Sequence, residues 1–106
     1  MKIMISQPMT GRSTEEIRQE RSDLVVELKR QGHTVIDTVF DFKDKDPYHD
    51  GLYYMGHSIL AMSEVDAVVF MKGWDKSRGC KIEHELALKY GLFIKIYTKK
   101  QSFAAL

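Results

Sequence analysis

Several protein classes are excluded by what this chain does without. One cysteine, Cys80, in 106 residues rules out an internal disulfide and a cysteine-built zinc site. No apolar run approaches the roughly 20 residues needed to span a bilayer. The opening Met1-Lys2-Ile3-Met4-Ile5-Ser6 is too short for a secretory h-region and reads as a first strand. Charge of one sign is also missing. Sixteen Lys and Arg face 15 Asp and Glu for a net charge of +1, so the balance points to neither nucleic acid nor membrane as a partner. There is no Walker motif and no G-x-G-x-x-G, no internal repeat and no low-complexity segment. The two prolines, Pro8 and Pro47, both fall in expected loops. What remains, 43% hydrophobic and 29% charged residues, is enough for a single domain over residues 1–106 with one core. It fits a reducing, cytoplasmic compartment.

Hydropathy periodicity gives an alternating pattern. Residues 2–6 form a first apolar strand, and a loop at 7–12 carries Pro8 and Gly11 as breakers. Ser13 is placed to cap a helix, with Glu16 three residues on as in a capping box. Ile17, Leu24, Val25 and Leu28 then share one helical face, and Gly32 suits the position just past the helix end. A second strand is expected at 33–38, a long charged loop at 39–50, a helix at 51–64 and a third strand at 65–71. After a loop at 72–79, a third helix follows at 79–90 and a fourth strand at 92–97; the tail from 98 is ambiguous. The order β-α-β-α-β-α-β predicts an α/β fold, a parallel sheet with helices on both faces. If the strand order is 2-1-3-4, the loops at 7–12 and 72–79 open into one crevice at the switch point between the first and third strands.

The stretch Gly73-Trp74-Asp75-Lys76-Ser77-Arg78-Gly79-Cys80-Lys81-Ile82-Glu83-His84-Glu85 carries the most chemistry. Gly73, Ser77, Arg78 and Gly79 lead into a helix N-terminus, whose free N–H groups suit an anion or a sugar hydroxyl. The same residues also serve as a plain turn and cap. Glu85, with Lys81 and Lys89 four residues to either side, reads as a solvated ion-pair residue. Glu83 lacks such a partner and lies one turn from Ala87, on the crevice side. There it suits a nucleophile or general base, or simply a first-turn glutamate favoured by the helix dipole. Cys80 reads as an apolar filler or a helix-start thiol. His33 begins a strand, and Glu-His-Glu around His84 is not a metal spacing. His49 and His57 flank Tyr53-Tyr54 and are either surface residues or crevice walls. Asp66 and Trp74 are structural or ligand contacts.

Three segments resemble the nucleoside 2-deoxyribosyltransferase superfamily, and within it a small phage-associated branch. Met4-Ile5-Ser6-Gln7-Pro8-Met9-Thr10-Gly11 is similar to the family's opening Tyr-Ile-Ser-Gly-Pro-Met-Thr-Gly. Val65-Asp66-Ala67-Val68-Val69-Phe70 is similar to its Ala-Asp-Val-Val-Val strand. Gly73-Trp74 with Ser77-x-Gly79-x-x-x-Glu83-x-x-x-Ala87 is similar to its catalytic loop and helix. The resemblance implies a flavodoxin/Rossmann-like three-layer sandwich with a four- or five-stranded parallel sheet. It also implies that Glu83 attacks the anomeric carbon of a 2′-deoxynucleoside, giving a covalent glycosyl-enzyme that a second base or water resolves. This is retaining glycosidase logic on an N-glycosidic bond, with no metal or organic cofactor. By the same resemblance, Gln7, Met9, Gly11, Asp66, Gly73, Trp74, Ser77, Arg78 and Gly79 contact the substrate.

Ser77 stands where the transferases carry an acid that holds the 5′-hydroxyl; Ser-x-Gly is the form in the deoxynucleoside 5′-monophosphate N-hydrolases. A 5′-monophosphate is therefore the expected ligand. Two positions depart from the family pattern. Gln7 replaces a glycine, and Ser58 stands where an aspartate near the reacting sugar and base is usual, with His57 beside it as a substitute proton donor. The alternative to an enzyme is a nucleotide-binding or signalling module that retains the crevice. The resemblance further implies a homo-oligomer, with Leu52, Tyr53, Tyr54 and Met55 as candidate interface residues.

Overall fold

The computed structural model describes residues 1–40 and 50–98. Most of the charged loop, with Pro47 and His49, and all but the first residue of the tail lie outside them. Four strands, β1 (Lys2–Ser6), β2 (Thr34–Ile36), β3 (Ala67–Phe70) and β4 (Phe93–Ile96), form one sheet in the order β2-β1-β3-β4. All three pairings are parallel, with Met4 opposite both Ile36 and Val68, and Val68 opposite Ile94. The helices are α1 (Thr14–Arg30), α2 (Asp50–Met62) and α3 (Arg78–Lys89). The expected α/β, flavodoxin/Rossmann-like sandwich is thus the observed architecture, and the strand order is the one that places a switch point between β1 and β3.

The pleat sorts the core into two halves. Ile3, Ile5, Ala67, Val69 and Met71 pack with Leu24 and Leu28 of α1. Met4, Val68 and Phe70 point the other way and pack with Ala61 and Met62 of α2 and with Cys80 and Ala87 of α3. Strands buried on both faces read as continuous apolar runs, as 3–5 and 67–71 do. Each such side chain contributes about 1.5–3 kcal/mol when removed from water.

Local chemistry sets the element ends. The Ser13 hydroxyl accepts from the Glu16 N–H at 3.1 Å, and the Glu16 carboxylate accepts from the Ser13 N–H at 3.4 Å, completing the capping box. At the other end Gly32 sits at φ 90°, and the Gly32 and His33 N–H groups return to Lys29 and Leu28 carbonyls, a Schellman ending. The second strand is shorter than expected because Asp37 turns the chain: its carboxylate accepts from the Val39 N–H at 2.9 Å, an Asx-type turn that competes with the ladder. The third strand also narrows at both ends, although Asp66 and Met71 still donate to the Lys2 and Ser6 carbonyls. Among the described residues, no helix is long and apolar enough to cross a membrane.

Candidate functional site

The loop between β3 and α3 is tighter than a plain connection. Trp74–Lys76 form one 3₁₀ turn, entered through Gly73 at φ 89°, a left-handed conformation that side-chain-bearing residues resist. A Cβ built on Gly73 would lie 3.4 Å from the Pro8 ring, so the loops leaving β1 and β3 meet there. This contact lies at the carboxyl ends of β1 and β3, where the switch point falls. Ser77 is the N-cap of α3, its hydroxyl accepting from the Cys80 N–H at 3.4 Å. A Cβ on Gly79 would come to 3.4 Å from the Met55 methyl, and one on Gly51 to 3.3 Å from the Arg78 guanidinium. The start of α2 thus closes over the start of α3.

Glu83 lies in the second turn of α3 and is buried. The Ser6 hydroxyl, at the last position of β1, donates to Glu83 Oε1 at 2.6 Å. Burial pushes the Glu83 carboxyl above the usual carboxylate range. Hydrogen bonding from Ser6, then from Ser58 on α2, and the charge of Arg21 on α1 pull it back. Groups from two other helices and from β1 therefore act on the carboxyl that α3 carries. Cys80, one turn before, is buried among the same residues, and burial raises its thiol pKa. This removes the helix-start thiolate reading and leaves the apolar filler. Glu85 is on the exposed face with Lys89 at 3.4 Å.

Not every expected site residue gathers near Glu83. Asp66 sits at the opposite end of β3, where its carboxylate accepts from the Lys2 N–H at 2.8 Å. The Gln7 side chain turns into α1, donating to the Ile17 carbonyl and to Glu20, and accepting from Arg21. The His57 ring packs on Phe40 and Tyr53, with centroids 5.6 and 4.9 Å away, whereas neighbouring Ser58 is close enough to lower the Glu83 pKa. Trp74 stacks on His84 at 4.4 Å and leans on Phe70, which anchors the loop. Among the described residues, no group of three or more His, Cys, Asp or Glu side chains is placed to hold a metal ion.

A family model matches residues 1–96 of the chain. The chain belongs to the DUF4406 family, a domain of unknown function. No curated protein and no solved structure matches it. The matched span takes in every element of this DUF4406 domain from β1 to the last residue of β4, so Ser6, Ser58, Ser77 and Glu83 all belong to the family unit.

Two contributors escaped the sequence reading. Ser6 was only one letter of a motif, yet a polar residue ending an apolar strand at its carboxyl end marks the place where α/β sheets bind ligands. Arg21 interrupts the stripe of Ile17, Leu24 and Leu28 at a position four and three residues from its neighbours. A charge there was the available signal.

Proposed function

We propose that the domain cleaves, or transfers the base across, the N-glycosidic bond of a 2′-deoxynucleoside or its 5′-monophosphate, through a covalent glycosyl-Glu83 intermediate. The observation that carries this reading is a buried carboxylate held by Ser6 where β1, α2 and α3 converge. The resemblance to nucleoside 2-deoxyribosyltransferases, in the residues around Ser77, Gly79 and Glu83, supplies the reaction class. In the first step a Glu83 oxygen bonds to the anomeric carbon while the bond to the base breaks, and the base leaves with a proton from water. In the second step, water or another base attacks the same carbon and frees Glu83. Burial raises the energy of the ionised carboxylate, and esterification removes that charge. The penalty is therefore relieved on the way to the intermediate, while the Ser6 and Ser58 hydroxyls keep enough of the group ionised to react.

The 5′-phosphate is assigned to the Gly73–Ser77 loop and the first turn of α3. There the Ser77 hydroxyl and the outward N–H groups accept an anion that an acidic residue would repel. A homo-oligomer is proposed with it. Leu52 and Leu60 of α2 are 70% and 65% exposed, an apolar surface next to the crevice that suits a second copy.

One observation favours a second reading, a nucleotide-binding module without turnover. Among the described residues, the side chain at the usual acid position is the Ser58 hydroxyl, and the neighbouring His57 ring is packed on Phe40 and Tyr53. The two readings separate on incubation with deoxynucleosides and their 5′-monophosphates. Free base, a deoxyribosyl mass on the intact protein, and loss of both in Glu83→Ala support the enzyme. Nucleotide-dependent thermal stabilisation without base release supports the module. A melting temperature indifferent to every nucleotide would sink both, because ligand at about 100 times its dissociation constant stabilises by about 2.7 kcal/mol.

A further inference from the structure

The buried face of α1 carries a full charge. Arg21 is 4% exposed, and both of its hydrogen bonds go to neutral groups: Nε donates to Gln7 Oε1 at 2.8 Å and Nη1 to Thr38 Oγ1 at 3.2 Å. Nη2 is buried with no hydrogen-bond partner among the described residues. Among the described residues, no carboxylate forms an ion pair with it. Burial draws the guanidinium down to about 10, against the opposing pull of Asp37 first and of Glu83 and Glu20 after it; the neighbouring Arg18 charge adds to the fall. Asp37 does not compensate it by contact. Its Oδ2 is taken by Arg18 at 3.1 Å and its Oδ1 by the Val39 N–H. A buried cation with no contacting carboxylate among the described residues is unfavourable, and a fold that retains one has a counter-charge to gain.

A cleft of about 160 Å³ opens beside it, between α1 and the edge strand β2. Arg18, Arg21, Lys29 and Asp37 line it, with Val25 and Val35 as apolar wall. Three cations thus face one carboxylate that is already paired. The volume holds several waters' worth of ligand, enough for a tetrahedral oxyanion. The Arg18–Asp37 pair, which also lines the cleft, is half-exposed on both sides, so rearranging it costs little. The cleft is on the α1 face of the sheet, whereas Glu83 is on the α2–α3 face.

We propose that the α1–β2 cleft is a second ligand site, built for a phosphate group, with Arg21 Nη2 as the buried donor and Arg18 and Lys29 as the exposed ones. A dianionic group matches the excess charge, and the guanidinium fork suits its geometry. The site is independent of the reading given to Glu83. The same chemistry is offered by inorganic phosphate and by a phosphate monoester.

The test is calorimetric titration of the full chain in a zwitterionic buffer with inorganic phosphate, glycerol phosphate and acetate as separate probes. It is run on the wild type and on Ser77→Asp, which closes the crevice to phosphate. Binding that persists in Ser77→Asp and weakens about tenfold in each of Arg18→Gln and Lys29→Gln supports the site, with acetate the weakest probe. Preference for inorganic phosphate or for the monoester identifies the source. Arg21→Gln abolishes binding and, with the buried charge gone, melts no lower than wild type without phosphate. If Arg21→Gln does not fold, the two exposed variants carry the result. Binding lost in Ser77→Asp, or unchanged in both Arg18→Gln and Lys29→Gln, overturns the proposal.

Discussion

Ser6 and Glu83, 77 residues apart, share a hydrogen bond of 2.6 Å. The bond ties the carboxyl end of the central strand to the second turn of α3. It makes the Glu83 carboxylate the point at which β1 and α3 are joined beside the switch point. Removing the hydroxyl in Ser6→Ala leaves an ionised, buried acceptor short of a donor, at a cost of about 1.5–3 kcal/mol for a bond to a charged group. Urea denaturation should show most of that loss at pH 8 and little of it at pH 4, where the carboxyl is protonated. The acid limb of any pH–rate profile should also move upward in pH, since the bond that stabilises the anion is gone.

Glu83 itself has a folded-state pKa raised above the ordinary 4.5. Its protonated form therefore favours the fold. That contribution is fully present below 4.5 and is lost as pH rises through the higher folded-state value. Glu83→Gln, neutral at every pH, should melt close to wild type in acid and progressively above it toward neutral pH, while releasing no base. Equal melting temperatures for the two proteins across that range would contradict the buried, ionising carboxylate.

Ser77→Asp puts a carboxylate where a 5′-phosphate is assigned. Its N-cap function survives, because aspartate caps helices as well as serine does, so the melting temperature without ligand should hold. Binding of 5′-monophosphates should fall by more than about tenfold through like-charge repulsion, and binding of the nucleosides should not. Calorimetry on matched nucleoside and monophosphate pairs measures both.

Gly73→Ala forces a Cβ into a left-handed backbone at φ 89° and within 3.4 Å of Pro8. The expected loss is about 1–2 kcal/mol, read from denaturant midpoints, together with weaker nucleotide binding as the two loops separate.

The exposed leucines of α2 bear on assembly. Leu52→Lys combined with Leu60→Lys should convert an oligomeric wild type to a folded monomer in sedimentation velocity, with circular dichroism unchanged. A wild type that sediments as a monomer at all concentrations removes the proposed interface.

Much of this molecule was legible without coordinates because its signals are local. The capping box at Ser13 and Glu16, the Gly32 helix ending and the apolar runs of β1 and β3 each specify backbone within a few residues. Parallel alternation then follows from connection rules. Residue pattern also separated Glu83 from Glu85, since one has a lysine a turn away and the other does not. Pairings across long sequence distances left no such trace. Gln7 folds into α1 instead of the crevice because Glu20 and Arg21 offer it charged partners. Asp66 stays at the far end of β3 because its carboxylate caps the Lys2 amide. Ser58, and not His57, bears on the Glu83 carboxyl, because successive helical residues point about 100° apart. That Arg21 meets no carboxylate among the described residues depends on where α1 and β2 pack, since which groups come together in the interior, unlike a cap or a period, is a property of the assembled fold alone.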